Sequence, residues 1–263
     1  VMKLRMPSGL QAREAARSAG GLVLLVLAWD VALYLSAAPL LPRPWQVALG
    51  LAELLTRGVL LKHVAASLFR VTWGFLLAVG LGVPLGFALG WSTRAGRALG
   101  PFVQFLRPIS PLAWIPIAIL WFGVGDPPAV FIIFIASLTP LLLTAMNAVR
   151  NVPAVYVNAG QNFGLGTREL FLRVLLPASL PDLLAGLRLT LGIAWLVVVA
   201  AEMIAVNSGL GFLIVDSRNA GNRYDLVVAG MVLIGLIGLL LDWSITRAAR
   251  GFLRGRDMIG DTE

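Results

Sequence analysis

Three polar side chains interrupt one apolar run at intervals of seven residues: Arg188, Trp195 and Glu202. On a helix this spacing returns all three to one face. Arg188 and Glu202 lie roughly 21 Å apart along such an axis at about 1.5 Å per residue, too far to pair with each other. A charge at the bilayer centre costs about 2.5–3.5 kcal/mol on insertion scales, so the face must turn toward a partner or a polar path. Two chemistries fit. One is a translocation path through Arg188, Trp195 and Glu202, with Arg188 helping an anion leave. The other is a tie between helices at Glu202 and an interface anchor at Arg188. The Glu202 carboxylate would repel an anion, which favours the tie.

Other chemistry finds little to work with. There are no cysteines and a single histidine, His63. Thiolate metal sites and disulfides are excluded, and a zinc or iron site would have to rest on carboxylates alone. His63 stands without a clustered nucleophile or carboxylate, so it reads as a helix-surface or interface residue, not as part of a catalytic set. A phosphate-cradling P-loop needs a lysine after its glycine run, and the only lysines, Lys3 and Lys62, do not follow one. No cofactor is expected in this chain.

The elements that carry these residues are apolar. Hydrophobic residues make up 59% of the 263-residue chain and charged residues 13%, and mean hydropathy is +0.88. A soluble domain carries about 25% charged residues, so too little polar surface exists to cover a water-soluble globule. The net charge of +8 does not signal a nucleic-acid partner, because the basic residues lie between apolar runs and not in a stripe with exposed aromatics.

Six stretches approach the about 20 apolar residues that a spanning helix needs. They lie near 20–38, 68–91, 107–122, 129–148, 183–206 and 226–246. The runs do not alternate as barrel strands do, so an all-α integral membrane fold with about six transmembrane helices is expected. Pro108, Pro111 and Pro116 interrupt the third. The first is preceded by basic residues and followed by Ser36-Ala37-Ala38, a pattern shared with signal peptides. Its apolar length and the five runs after it argue for a retained span. The chain divides into an N-terminal arm at 1–19, a membrane region at 20–250 and a tail at 251–263.

Placing the N-terminus in the cytoplasm puts fifteen Lys and Arg residues inside and six outside, namely Arg43, Arg57, Lys62, Arg70, Arg218 and Arg223. That asymmetry follows the positive-inside rule and puts both termini and the loop 149–182 in the cytoplasm. Gly82, Gly86 and Gly90 form a small-residue ridge suited to close helix packing. Trp73, Trp114 and Trp121 read as interface or packing residues. The external stretch Asp216–Asp225, with Arg218, Asn219, Asn222 and Arg223, reads either as a solvated loop or as a surface for an external protein.

The loop 149–182 has structure of its own. Asn151 and Pro153 can open a short helix and Gly164 and Gly166 can end it. Thr167 can cap a second, with Glu169 in its first turn and Pro177 as its stop. Ser179-Leu-Pro-Asp182 looks like a capping box that opens the fifth span.

Within this loop, Asn158-Ala159-Gly160, three residues, Gly164, nine residues and Val174-Leu175-Leu176-Pro177 follow a known spacing. It resembles the Glu-Ala-Ala, Gly, Ile-x-Leu-Pro motif of permeases of binding-protein-dependent ABC importers, with Asn158 in place of Glu and Gly160 in place of the second Ala. Gly186-Leu187-Arg188, Ala194-Trp195, Ala200-Ala201-Glu202 and Gly209-Leu210-Gly211 are similar to the branch that imports taurine, alkanesulfonates, nitrate or bicarbonate.

The resemblance implies type I ABC importer permease architecture. It implies two ATP-binding cassette subunits that bind ATP and Mg, an external substrate-binding protein, a second permease copy in a homodimer, and an inner-membrane location among lipid. It also implies that Asn158, Ala159, Gly160, Gly164, Leu176 and Pro177 form the ATPase-coupling loop, so ATP hydrolysis resides in a partner and the chain itself is no enzyme. A rival reading is an ion-coupled secondary transporter that titrates Glu202, but it leaves the loop motif without a role.

Overall fold

The computed structural model describes residues 8–36 and 41–260 and is all-helical among them. Helix α1 spans Ser8–Ser36, α2 Pro44–Thr56, α3 Val59–Trp91, α4 Thr93–Leu106, α5 Ile115–Phe122 and α6 Asp126–Arg150. Helix α7 spans Ala154–Asn162, α8 Thr167–Leu170, α9 Leu176–Ala205, α10 Leu210–Asn219 and α11 Tyr224–Gly260.

Among the described residues, four helical stretches are long and apolar enough to cross a membrane: Val59–Trp91, Asp126–Arg150, Thr167–Ala205 and Tyr224–Gly251. The expected span at 107–122 takes another form. Thr93–Leu106 and Pro111–Phe122 are two helical pieces bent by 82°. Pro108 and Pro111 explain the break, since neither donates a backbone hydrogen bond and each disfavours helix in the residue before it. Ser92 opens α4, its Oγ accepting the Ala95 N–H at 3.2 Å. The expected first span lies in α1, whose apolar part, Val23–Leu35, is shorter than a full crossing; residues 37 and 38 lie outside the described residues.

Helices α3, α6 and α9 pack side by side at the centre. The glycine ridge on α3 is what allows it: a Cβ on Gly86 would lie 2.6 Å from the Ala145 Cβ, and one on Gly74 would lie 2.6 Å from the Ile133 Cβ. Gly74 extends the 82–86–90 ridge by two turns toward the start of the helix. Buried Val71, Ile133, Val198 and Leu210 fill the core beside it. Outward faces stay apolar, with Leu239 69% and Leu240 62% exposed, as a lipid-facing surface requires.

The fifth span begins earlier than the Ser179 capping box implies. A helical path runs from Thr167 to Ala205 without a break, through a wide π turn at Phe171–Leu175. Pro177 has no N–H for the carbonyl four residues back, and the wider turn accommodates that loss. Ser179 does not cap; its Oγ donates to the Leu176 carbonyl at 3.0 Å.

Candidate functional site

Among the described residues, candidate functional groups gather at four places. The first is a buried cluster between α3 and α9. His63, Ser67 and Arg70 recur at helical spacing and share one face of α3. Arg70 is 1% exposed and Glu202 0%. Arg70 Nη1 donates to Glu202 Oε1 at 2.6 Å and to the Ser208 carbonyl at 2.7 Å. Its Nε donates to Asp126 Oδ1 at 2.7 Å and its Nη2 to Ser208 Oγ at 2.6 Å.

The other Glu202 oxygen accepts from Ser67 Oγ at 2.9 Å and from the Gly211 N–H at 3.0 Å. Ser67 Oγ in turn accepts the Leu210 N–H at 2.9 Å. His63 Nδ1 accepts the Gly209 N–H at 3.0 Å. Every member is held by more than one bond or by a backbone donor, the condition under which a buried charge pair is tolerable. Gly209 sits at φ +106°, and a Cβ there would fall on the Glu202 carboxylate. One expectation changes here and one narrows. Arg70, counted among external cations, is buried inside the bundle, and His63, read as a helix-surface or interface residue, is 7% exposed and bonded to the α9–α10 turn.

The seven-residue face of α9 divides between neighbours. Glu202 meets α3, whereas Trp195 Nε1 donates to the Ile234 carbonyl on α11 at 3.0 Å. Arg188 makes a two-pronged pair with Asp242 of α11 at 2.6 and 2.7 Å. Arg188 and Trp195 border a cleft of about 200 Å³; Glu202 does not.

The second place is a cavity of about 720 Å³ between the α4–α5 break, α6 and α9. Its walls come from helical stripes at 136–147 and 186–193, and Trp114 closes one side. Trp114 is thus a cavity residue, not only the packing residue its sequence context implies. Pro140 lacks the N–H that would bond the Ala136 carbonyl, and both residues line the space. None of Arg188, Trp195 and Glu202 borders it.

The third place is the loop after α6. Gly160 is buried and faces the segment 165–174; a Cβ there would lie 2.6 Å from Leu170 Cδ1 and 3.4 Å from Val174 Cγ2. Gly164 takes φ +76°, a left-handed turn that ends α7. Asn158 and Ala159 are exposed on the opposite side, beside Val155, Tyr156 and Phe163, the last 87% exposed. The second short helix is capped by Gly166, not by Thr167, with Glu169 Oε2 accepting the Gly166 N–H at 3.3 Å. Leu176 and Pro177 form the junction into α9.

At the fourth place, on the opposite face of the bundle, Arg223 joins Glu53 at 2.6 Å and Asp225 at 2.7 Å. Hydrogen bonding from Arg223 holds the Glu53 carboxyl below its usual range. The bonds to Asp225 and then Glu53 raise Arg223 further above its ordinary value. Among the described residues, no three His, Cys, Asp or Glu side chains group as metal ligands.

Comparison with known proteins gives a consistent assignment. Residues 79–254 match the family described as binding-protein-dependent transport system inner membrane component. The taurine transport system permease protein TauC of Escherichia coli strain K12 is 37% identical over 248 residues, covering 90% of this chain and 89% of that one. The nitrate import permease protein NrtB of Leptolyngbya laminosa is 39% identical over 194 residues, 74% of this chain and 67% of that one. Among solved structures, an inward-facing conformation of the MetNI methionine ABC transporter superposes with a TM-score of 0.66 at 19% identity, covering 73% of this chain and 95% of that one.

Proposed function

Because the chain belongs to the family of binding-protein-dependent transport system inner membrane components, we propose that it is the permease of an ATP-driven importer for a small oxyanion-bearing solute. Taurine, an alkanesulfonate, nitrate and bicarbonate are the solutes in question. The observation that carries the reading is the loop after α6. It presents a short helix with an exposed, partly apolar outer face and a buried glycine that packs on the segment 165–174, and from Thr167 that segment runs without a break into a spanning helix. Exposed apolar groups in such a patch fit a docking surface.

In this reading α7 seats in a groove on an ATP-binding cassette subunit through Asn158, Ala159 and the turn at Gly164. Gly160 keeps α7 pressed onto the segment 165–174, and Leu176 and Pro177 pass its displacement into α9. ATP and Mg belong to that partner. Two permease copies, as a homodimer, meet two ATPases, and an external binding protein delivers the solute. The loop and both termini face the cytoplasm, and the Arg223–Glu53 end of the bundle faces the binding protein.

Glu202 fits a tie better than a titrating carrier group, since Arg70, Ser67 and Gly211 occupy its oxygens. The test is reconstitution of the chain with its candidate ATPase in proteoliposomes. Hydrolysis stimulated by a binding protein loaded with one of the four solutes, with uptake of that solute, supports the reading. A chain that neither binds an ATPase nor needs ATP for uptake overturns it.

A further inference from the structure

The cavity between the α4–α5 break, α6 and α9 has an unusual lining for its depth. Its volume of about 720 Å³ lies within the about 300–1,000 Å³ of small-molecule sites. Its walls are mostly apolar, and Arg107 is the one charged residue among them. Thr139, Thr144 and Asn147 add uncharged hydrogen-bonding groups on the α6 side. The lining holds no carboxylate.

Arg107 caps the end of α4, so the 82° break sets its position over the cavity. Among the described residues it makes no ion pair, as is also true of Arg94, Arg97 and Arg168; what sets it apart is its place on the cavity wall. Its side chain is exposed at the rim of the cavity, so the guanidinium is free to meet a solute there. A guanidinium binds planar oxyanions by two parallel hydrogen bonds, which a lysine cannot reproduce.

We infer that this cavity is the solute-binding segment of the path and that Arg107 selects for an oxyanion head group, with Thr144 and Asn147 donating to its remaining oxygens. The apolar wall at Trp114 receives the alkyl part of a solute that has one, such as an alkanesulfonate. The inference rests on the importer reading for its solute class, but the charge preference of the cavity belongs to this chain alone and is measurable without a partner.

The chain has no cysteine, so Thr144→Cys introduces a unique thiol. In proteoliposomes carrying the full chain, its reaction with an anionic methanethiosulfonate (sulfonatoethyl) is compared with that of a cationic one (trimethylammonioethyl). Both rates are normalised to a free thiol in solution. Arg107 is expected to favour the anionic reagent by on the order of tenfold. Arg107→Gln is expected to remove that preference, and Arg107→Lys to keep most of it, which guards against misfolding of the neutral variant. An equal ratio in the Arg107 and Arg107→Gln backgrounds overturns the inference. A preference that depends on Arg107 in a chain with no ATP-dependent uptake upholds the anion cavity and defeats the importer reading. Uptake without that preference does the reverse.

Discussion

Arg70 and Glu202 meet 2.6 Å apart across α3 and α9, both almost wholly removed from solvent. The pair also gathers Ser208 and the Gly209–Gly211 turn, so α3, α9 and the start of α10 are fixed by one network. Removing one partner leaves the other charge buried and uncompensated, at a cost of about 3–5 kcal/mol. Glu202→Ala is therefore expected to lower the unfolding temperature of the purified chain sharply. The double variant Arg70→Met with Glu202→Met is expected to lose less than either single change. A Glu202→Gln variant that folds normally, transports nothing and is insensitive to Arg70 would instead favour the ion-coupled carrier.

Gly209 gives a second probe of the same network. Any side chain there meets the Glu202 carboxylate, and φ +106° is strained for an L residue. Gly209→Ala is expected to destabilise the chain by about 1–3 kcal/mol. Amide exchange should show the loss first in α10, because the Leu210 and Gly211 N–H groups lose their acceptors.

The long helices were legible because apolar runs of spanning length admit few folds in lipid. The cluster was not, because Arg70 and Glu202 are separated by 132 positions. A local signal did exist: His63, Ser67 and Arg70 are polar residues at helical spacing, and that stripe marks a buried polar face. The positive-inside count assigns Arg70 to the outer loops, which masks that stripe. At 107–122 the prolines were visible but their consequence was not, since a bend depends on what packs against it. Ser92 marks the boundary, its Oγ capping α4. The loop's short helices were legible from Pro153, Gly164 and Thr167 and its motif from a family resemblance, and the motif's departure at Gly160 gains a physical meaning only when Leu170 is seen lying over it.

The loop offers a pair of substitutions that separate docking from folding. Ala159 is exposed, so Ala159→Glu is expected to leave the unfolding temperature unchanged while abolishing co-purification with the ATPase. Gly160 is buried against Leu170 and Val174, so Gly160→Leu is expected to lower stability by about 1–3 kcal/mol through overpacking and to impair coupling as well. Equal ATPase retention by wild type and Ala159→Glu would remove α7 from the docking surface.

The Arg223–Glu53 contact predicts acid sensitivity at that end of the bundle. Glu53 has a folded pKa below its unfolded value, so its contribution is present above the unfolded value near about 4.3. It is lost as pH falls through the lower folded value. Exchange protection of α2 should therefore be steady at neutral pH and fall once the pH drops below the usual carboxylate range. Glu53→Gln is expected to show weak α2 protection at every pH. Protection that falls on raising the pH would contradict the sign.

Arg188 and Asp242 permit a test that a stability measurement cannot supply. Their two hydrogen bonds of 2.6 and 2.7 Å tie α9 to α11, and both side chains are nearly half exposed, so solvent weakens the pair. A tie depends on complementary charges and not on which helix carries which. Arg188→Asp alone sets two carboxylates against each other and is expected to reduce uptake severalfold. Adding Asp242→Arg restores opposite charges with the order exchanged, and uptake should recover. If Arg188 instead hands an anion along the path, the cation must stay on α9, and the double exchange will be as inactive as the single one. Uptake in the exchanged variant thus decides between the two chemistries that the seven-residue spacing allows.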